Sequence, residues 1–428
     1  MNLRLALKSV IFSSPSESVI VTAGKDGVVQ FFINQSLHKL LELMLQNEDY
    51  FAMLEKLQKY NIDVEWLNKI IHGMVKKGVL QFTIDRNVNI LQFRKTESLQ
   101  LLDRLYFEVT NSCNLKCIHC YNSRDVDPKF IDVCLFEKLL KEAYNLGVWL
   151  VDITGGEPFL HPQIEEILEL CTRYGMFINL YTNATLFTND KVAMLESKYR
   201  FHSLIVSLDG KVRKTHDAIR GRRGVHSITT RYLKVISQSS IPLRINTMIM
   251  KRNQEEVDDI IEYAYNQLNA TSVAIAPILL AGRGKDIWEE QQVPLDVIFR
   301  TLMNAYKQML CAEASVDKMD LRKTYCGVFE KMLYVSCDFE VFLCPTLTRY
   351  ENPEFKLGNF PESSLAQIVN ELNRFKDNFL CEKEDVCPKA ALCKSGCRSR
   401  AYLNTQKLDG VDKFMCDFFT YASSEQNK

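Results

Sequence analysis

The chain opens with two short apolar runs, SVIVTAG (18–24) and VVQFFI (28–33), separated by Lys25-Asp26-Gly27. Alternating side chains around an Asp-Gly step predict a β-hairpin, because that step tolerates the positive φ a tight turn needs. The period then lengthens. Leu37, Leu40, Leu41, Met44 and Leu45 share one stripe and predict a helix. A second short helix is expected over about 49–59. A third starts at Asp63, a good N-cap, carries Leu67, Ile70, Ile71, Met74 and Val75, and stops at Gly78. A last strand is expected near 87–93, and RKTESLQ (94–100) reads as a linker. Strands followed by three helices predict a small winged-helix-like domain over 1–95.

Residues 101–312 alternate differently. LYFEVT, VDIT, FINLYT, SLIVSL, LRINTMIM and SVAIAP are apolar runs of strand length. Amphipathic stretches such as FEKLLKEAYNLG and QIEEILELCTRYG lie between them. Six strand–helix units predict an α/β fold, a parallel sheet with right-handed crossovers that curves into a partial (β/α)6 TIM-like barrel. Functional groups of such a sheet gather at the C-terminal strand ends. Residues 320–428 are short-patterned, loop-rich and cysteine-rich, and are expected to need metal as their core.

The composition fits a globular chain of several domains: 428 residues, 46% hydrophobic and 25% charged. Lys+Arg and Asp+Glu both count 53, and zero net charge argues against a nucleic-acid partner. No run approaches the ~20 apolar residues of a membrane span, so no membrane partner is expected. In MNLRLALKSVIF the apolar positions are broken by Arg4 and Lys8. No secretion signal is read there, so a cytoplasmic, reducing location is expected, with thiols free to bind metal.

Fourteen cysteines change the picture, because they cluster. The first 112 residues have none. Cys113, Cys117 and Cys120 follow LYFEVT directly, on the loop at that strand's C-terminal end. Three thiolates on a four-iron cluster leave one iron open, and an open coordination site is where a metal centre does chemistry. The alternative is a zinc knuckle with His119 as a weak fourth ligand. Cys326, Cys337, Cys344, Cys381, Cys387, Cys393, Cys397 and Cys416 are enough for two fully ligated clusters, with structural zinc as the alternative. Cys134, Cys171 and Cys311 read as buried apolar residues.

Further polar groups stand at strand ends. VDIT runs into Gly155-Gly156-Glu157-Pro158, where glycines permit close backbone approach and Glu157 could accept from an ammonium; an ordinary turn is the alternative. Asn183 and Ser207-Leu208-Asp209 end the next two strands, and HDAIRGRRG contributes Arg220, Arg222 and Arg223. An arginine fork suits a carboxylate, and a solvated basic loop is the alternative. No Ser–His–Asp or paired-carboxylate constellation competes with these.

CxxxCxxC after the first strand of a six-unit barrel resembles the signature of radical S-adenosylmethionine (SAM) enzymes, over roughly 103–312. The resemblance implies a [4Fe–4S] cluster on Cys113, Cys117 and Cys120, with SAM on its free iron. It implies that Gly155, Gly156, Glu157 and Pro158 contact the methionine amino group. Asn183, Ser207 and Asp209 would face the ribose and methionine moiety, Arg220 the SAM carboxylate, and His119 the adenine. From about Tyr325 to Asp417, CDFEVFLC, LGNF and CPKAALCKSGC resemble a SPASM domain. That implies two auxiliary [4Fe–4S] clusters, one on Cys326, Cys337, Cys344 and Cys397, the other on Cys381, Cys387, Cys393 and Cys416. Two departures leave an open iron or a [2Fe–2S] centre as alternatives. Cys337 comes later than the second ligand usually does, and five residues separate Cys381 from Cys387, where two are commoner.

The first domain resembles the leader-binding domain of enzymes that modify ribosomally made peptides, with a groove between about 27–33 and 63–77. An exposed strand edge can capture an extended peptide, whereas Asp63 and Glu65 at the start of the third helix disfavour DNA. A rigid scaffold is the alternative. The whole order resembles sactisynthases, the subtilosin-type thioether-forming synthases. This implies reductive SAM cleavage driven by an external one-electron donor such as flavodoxin or ferredoxin. The 5′-deoxyadenosyl radical then takes hydrogen from a ribosomally made precursor peptide, and a thioether or other cross-link forms. The alternatives are side-chain oxidation of the sulfatase-maturase type, and a non-catalytic metal-dependent regulator that binds nucleic acid.

Overall fold

Local pattern and strand pairing agree at the first hairpin. In the computed structural model, β3 (Ser18–Gly24) and β4 (Gly27–Ile33) pair antiparallel with Gly24 opposite Gly27. Four further strands lie around the hairpin, in two sheets. β1 (Asn2–Leu5) pairs with β5 (Leu80–Thr83), and β2 (Ser9–Ser13) joins β3. β6 (Phe93–Lys95) adds parallel to β2, giving the order β4-β3-β2-β6. The structure describes residues 2–5, 9–13, 18–24, 27–33, 69–74, 80–83, 93–95, 102–122, 127–312, 332–348, 351–378, 380–393 and 395–426.

The strand expected near 87–93 is described at Phe93–Lys95, its last two residues within the stretch that reads as a linker; 87–92 lie outside the described residues. Its place is set by a partner some 80 residues earlier (Ile11 opposite Phe93), which local periodicity cannot carry. Of the third helix, 69–74 are helical, with Ile71 and Met74 buried. The helices expected at 37–45 and 49–59, and the Asp63 cap, lie outside the described residues.

The six apolar runs become β7 (Arg104–Glu108), β8 (Leu150–Thr154), β9 (Phe177–Thr182), β10 (Phe201–Ser207), β11 (Leu243–Ile249) and β12 (Ser272–Pro277). Each pairs parallel with the next, in chain order. With right-handed crossovers, unbroken sequential order winds every helix onto one face, which is barrel winding. β7 does not pair with β12, so the barrel is open.

The helices are α1 (Val133–Asn145), α2 (Ile164–Arg173), α3 (Asn189–Lys198), α4 (Arg213–Arg220), α5 (Val225–Ile236), α6 (Val257–Leu268), α7 (Trp288–Gln291) and α8 (Leu295–Ala312). Asp132 caps α1 by accepting from Leu135 N (2.8 Å), and α1 buries Phe136, Leu139, Leu140 and Ala143 at helical spacing. These meet Phe107, Ile153, Leu180 and Val206 in one core. Each fully buried Leu or Phe contributes ~1.5–3 kcal/mol. Cys171 on α2 is buried in this core as expected. Cys134 is exposed, contrary to expectation, because it follows the buried Val133 onto the outer face of α1. The side chain of Cys311 lies outside the described residues.

The region from 320 was expected to need metal as its core, and the structure packs part of it onto the barrel as well. β13 (Met332–Val335) pairs parallel with β7, and β14 (Glu340–Phe342) and β15 (Lys356–Asn359) follow antiparallel, extending the barrel sheet to nine strands. Leu333, Val341, Phe355 and Leu365 belong to the barrel's own core. Strands of three or four residues are too short to show a period. Beyond them lie α9 (Leu365–Asn370), α10 (Ala390–Cys393), α11 (Arg398–Thr405) and α12 (Lys413–Gln426). Among the described residues no helix is long and apolar enough to cross a membrane.

Candidate active site

β7 carries the chain to the C-terminal rim, and the loop 111–122 leaves from there with Cys113, Cys117 and Cys120. Other strand ends and one helix end hold that loop. At the end of β8, Gly156 N donates to Thr110 O (2.7 Å) and Glu157 N to Ser112 O (2.8 Å). A Cβ on Gly156 would lie 2.1 Å from Ser112 O and 2.8 Å from Cys113 Cβ. The glycines at 155 and 156, read from the sequence as room for a ligand, are first a seat for the cysteine loop. Pro158, which follows, is buried at the start of a 3-10 turn.

Glu157 is buried as well. Its carboxylate accepts from Thr182 Oγ1 (2.8 Å), Asn183 N (2.8 Å) and Phe159 N (3.3 Å). Burial pushes its pKa up to about 7, against the opposing effect of those donors. It ties β8 to β9 and is not presented to an open site. From β9, Asn183 Nδ2 donates to Asn114 Oδ1 (2.9 Å), and Asn114 Nδ2 donates to Thr185 Oγ1 (2.8 Å). Asn114 drew no notice in the sequence.

Beyond β10 the loop meets charge. Asp209 is fully buried and accepts from His119 Nε2 (2.9 Å), Arg220 Nη2 (2.7 Å) and Met248 N (2.9 Å). Burial would raise its carboxyl, but Arg220 and His119 outweigh that and hold it well below the usual range. His119, Asp209 and Arg220, read separately as contacts to different parts of SAM, therefore meet one another. A buried carboxylate needs such partners, since leaving one uncompensated costs several kcal/mol. Arg220 also approaches Cys117, with Nη1 3.7 Å from Sγ. Ser207 ends β10 opposite Asn246 of β11, half-buried.

Two more segments complete the clamp. Ile118 N donates to Ile219 O (2.9 Å), and a Cβ on Gly221, at φ 70°, would lie 2.3 Å from Lys116 O. After β12, Arg283 donates from Nε to Cys117 O (2.8 Å) and from N to Cys120 O (3.0 Å). Gly282 packs where its Cβ would lie 2.3 Å from Cys120 O. Gly282 and Arg283 were missed, and the AGRG punctuation after SVAIAP was the available signal.

The three thiols fit a multi-iron group better than one ion. Among the described residues no three His, Cys, Asp or Glu side chains stand close enough to share a single metal ion, as a zinc knuckle requires. A cluster spreads its ligands over several irons. Burial raises the Cys120 thiol, so it needs a cationic centre to become a thiolate. Beside these cysteines the Arg220 Nε is buried without a hydrogen-bond partner, a donor that suits an anionic group.

Four of the C-terminal cysteines come together, and two more form a pair. Cys381, Cys387 and Cys416 all raise the pKa of Cys393, and Cys381 and Cys387 also raise that of Cys416, so these four are neighbours. Cys397, the N-cap of α11, raises that of Cys344. Cys337 is influenced instead by Glu108 and Asp338. Cys326 lies outside the described residues.

The inner face of the barrel is polar, and the sequence reading passed over it. Arg104 pairs with Asp152, Asn179 Nδ2 donates to Asp152 Oδ1 (2.8 Å), and His202 Nδ1 meets Asn179 Oδ1 (2.7 Å). Tyr334 OH donates to Glu108 Oε2 (2.8 Å), and the Tyr106 ring stands 5.5 Å from Tyr181 and 5.9 Å from Tyr334. Strands of a parallel sheet buried on both faces are apolar throughout. In RLYFE, LVDIT and FINLYT every second position that departs from this marks a working lumen. An apolar cavity of about 400 Å³ adjoins the ends of β11 and β12, with Ile249, Ile278, Trp288 and Phe414 among its walls.

Residues 107–264 match the radical SAM superfamily, and residues 326–398 match the iron–sulfur cluster-binding SPASM domain. The chain is a radical SAM–SPASM enzyme. Its cofactors are SAM and iron–sulfur clusters. This radical SAM enzyme is 26% identical over 361 residues to the antilisterial bacteriocin subtilosin biosynthesis protein AlbA of Bacillus subtilis (strain 168), covering 80% of this chain and 77% of that one. It is 26% identical over 331 residues to the AdoMet-dependent heme synthase of Methanosarcina barkeri, covering 70% and 92%. Among solved structures, Streptococcus suis SuiB bound to precursor peptide SuiA shares the fold, with a TM-score of 0.65 at 15% identity over 97% of this chain and 99% of that one.

Proposed function

We propose that this enzyme installs a thioether or other intramolecular cross-link in a ribosomally made precursor peptide. One observation carries the radical chemistry: three cysteines on one loop, clamped by the surrounding strand ends beside a buried arginine with a free Nε. Cys113, Cys117 and Cys120 would hold the cluster that binds SAM, and Arg220 offers Nε to the SAM carboxylate. When bound, cluster and SAM supply a radical able to take hydrogen from an unreactive C–H bond. Gly155, Gly156 and Glu157 position the loop, with Asn183 bracing it through Asn114. Asp209 fixes Arg220 and His119. Tyr106, Asp152, Asn179 and Tyr181 line the space that would orient the peptide, and the tight glycine seats fix the loop in place. Cys381, Cys387, Cys393 and Cys416 would hold one auxiliary cluster, and Cys344 and Cys397, with Cys326 and Cys337, the other.

The peptide half rests on the first domain. A relative named for heme synthesis matches much of this chain, so the barrel and SPASM domain alone do not select a peptide. The likeness to the peptide-bound SuiB structure spans 97% of this chain. β4 stands at the edge of its sheet, with an open side among the described residues, and an extended leader can add there. Residues 1–95 would thus bind the leader, 101–312 form the barrel and 320–428 the SPASM domain. A one-electron donor such as flavodoxin or ferredoxin would serve it in the cytoplasm.

Mass spectrometry of a co-expressed candidate precursor tests the reaction: loss of two hydrogens is expected, and an unchanged mass refutes it. Cys113→Ala should abolish 5′-deoxyadenosine formation and the spectral response to added SAM while precursor binding persists. Undiminished SAM cleavage by that variant would remove Cys113 from the ligand set.

A further inference from the structure

Charge is unevenly placed on this neutral chain. Residues 211–234, which span α4 and α5, contain eight Lys or Arg and one acid, Asp217. Arg220 turns inward, whereas Arg213, Lys214, Arg222, Arg223, Arg231 and Lys234 are exposed. Two carboxylates adjoin them: Asp217 accepts from Gly224 N (2.6 Å) and His226 N (2.8 Å) with Arg213 at 3.5 Å, and Glu256 accepts from Val212 N (2.9 Å) and Thr215 Oγ1, so the bases remain in excess. A shallow depression on α5, lined by Ser227, Thr230, Arg231 and Lys234, extends the face.

The C-terminal end of α4 lies on the cysteine loop, and Val225 at the start of α5 packs against Leu115 and Cys117. Gly221 seats on Lys116 O, and Ile219 O accepts from Ile118 N. Lys116, between Cys113 and Cys117, is exposed and basic, and Cys113 is exposed beside it.

We propose that Lys116 and the exposed basic face of α4 and α5 form the docking surface for the acidic one-electron carrier protein that reduces this enzyme. The inference rests on the function proposed above and names the partner's surface. Electron transfer falls steeply with distance, so a protein donor must dock where the cysteine loop reaches the surface, and there that surface is cationic. Opposite charge on the donor would steer it in and fix its orientation. The electron passes from the reduced carrier to the enzyme, and the carrier leaves oxidised by one electron.

The test uses holoenzyme with a purified acidic flavodoxin as protein donor and dithionite as small donor. Arg222→Glu/Arg223→Glu should weaken flavodoxin binding by about ten-fold or more at low salt. It should slow flavodoxin-driven 5′-deoxyadenosine formation in parallel and leave the dithionite-driven rate unchanged. Unchanged flavodoxin affinity overturns the proposal, as does an equal loss with both donors. Weaker precursor binding with normal flavodoxin binding also overturns it, and assigns the face to the peptide. If wild type cleaves no SAM with either donor, the proposed function fails, while flavodoxin affinity still decides the docking surface. Lys214→Glu/Lys234→Glu gives the same reading should the first variant misfold.

Discussion

Gly156 lacks a side chain in the one place where Ser112 O and Cys113 Cβ already fill the space. Gly156→Ala must therefore shift the cysteine loop. The expected outcome is iron content lowered by one cluster's share, with far-UV circular dichroism unchanged. Full iron loading would show that the loop yields more easily than its contacts imply. At this scale the sequence was informative about which residues matter and weaker on what they touch. The cysteine spacing and the GGEP turn stand out in the string. That Glu157 reaches Thr182, and that His119 and Arg220 share Asp209, depends on pairs that lie on different elements.

Among strands, the alternation of polar residues on β7, β8 and β9 was visible yet read only as strand length. Folding turns that alternation into a polar lumen. His202, at the start of β10, is held neutral there. Burial, then Arg104 and Arg244, push its pKa from 6.5 down to about 4. The unfolded chain thus binds more protons between those values, so this contribution to stability is complete above the unfolded pKa and is lost as pH falls toward 4. The gap corresponds to roughly 3 kcal/mol. His202→Gln should flatten the acid limb: its Tm should fall less than that of wild type between about pH 7 and pH 5. Parallel loss in both proteins would place the acid sensitivity elsewhere. β13 shows the opposite limit, since its four residues carry no period and only pairing with β7 makes them part of the barrel sheet.

For the whole molecule, the division of labour gives a prediction of its own. Deleting residues 1–95 should weaken precursor affinity while uncoupled SAM cleavage continues, measured by peptide titration and 5′-deoxyadenosine release. Unchanged affinity would deny the first domain its role. The sequence by itself determined the six strand–helix units and the clustering of the cysteines, because hydrophobic period and residue spacing are local properties. Tertiary structure decided which groups neutralise one another in the site. It also decided that β13, β14 and β15 complete the barrel's sheet, and that a basic helix pair lies on the cysteine loop. Those outcomes depend on closing long loops and on excluding water from buried charge, and both are settled only when distant segments pack.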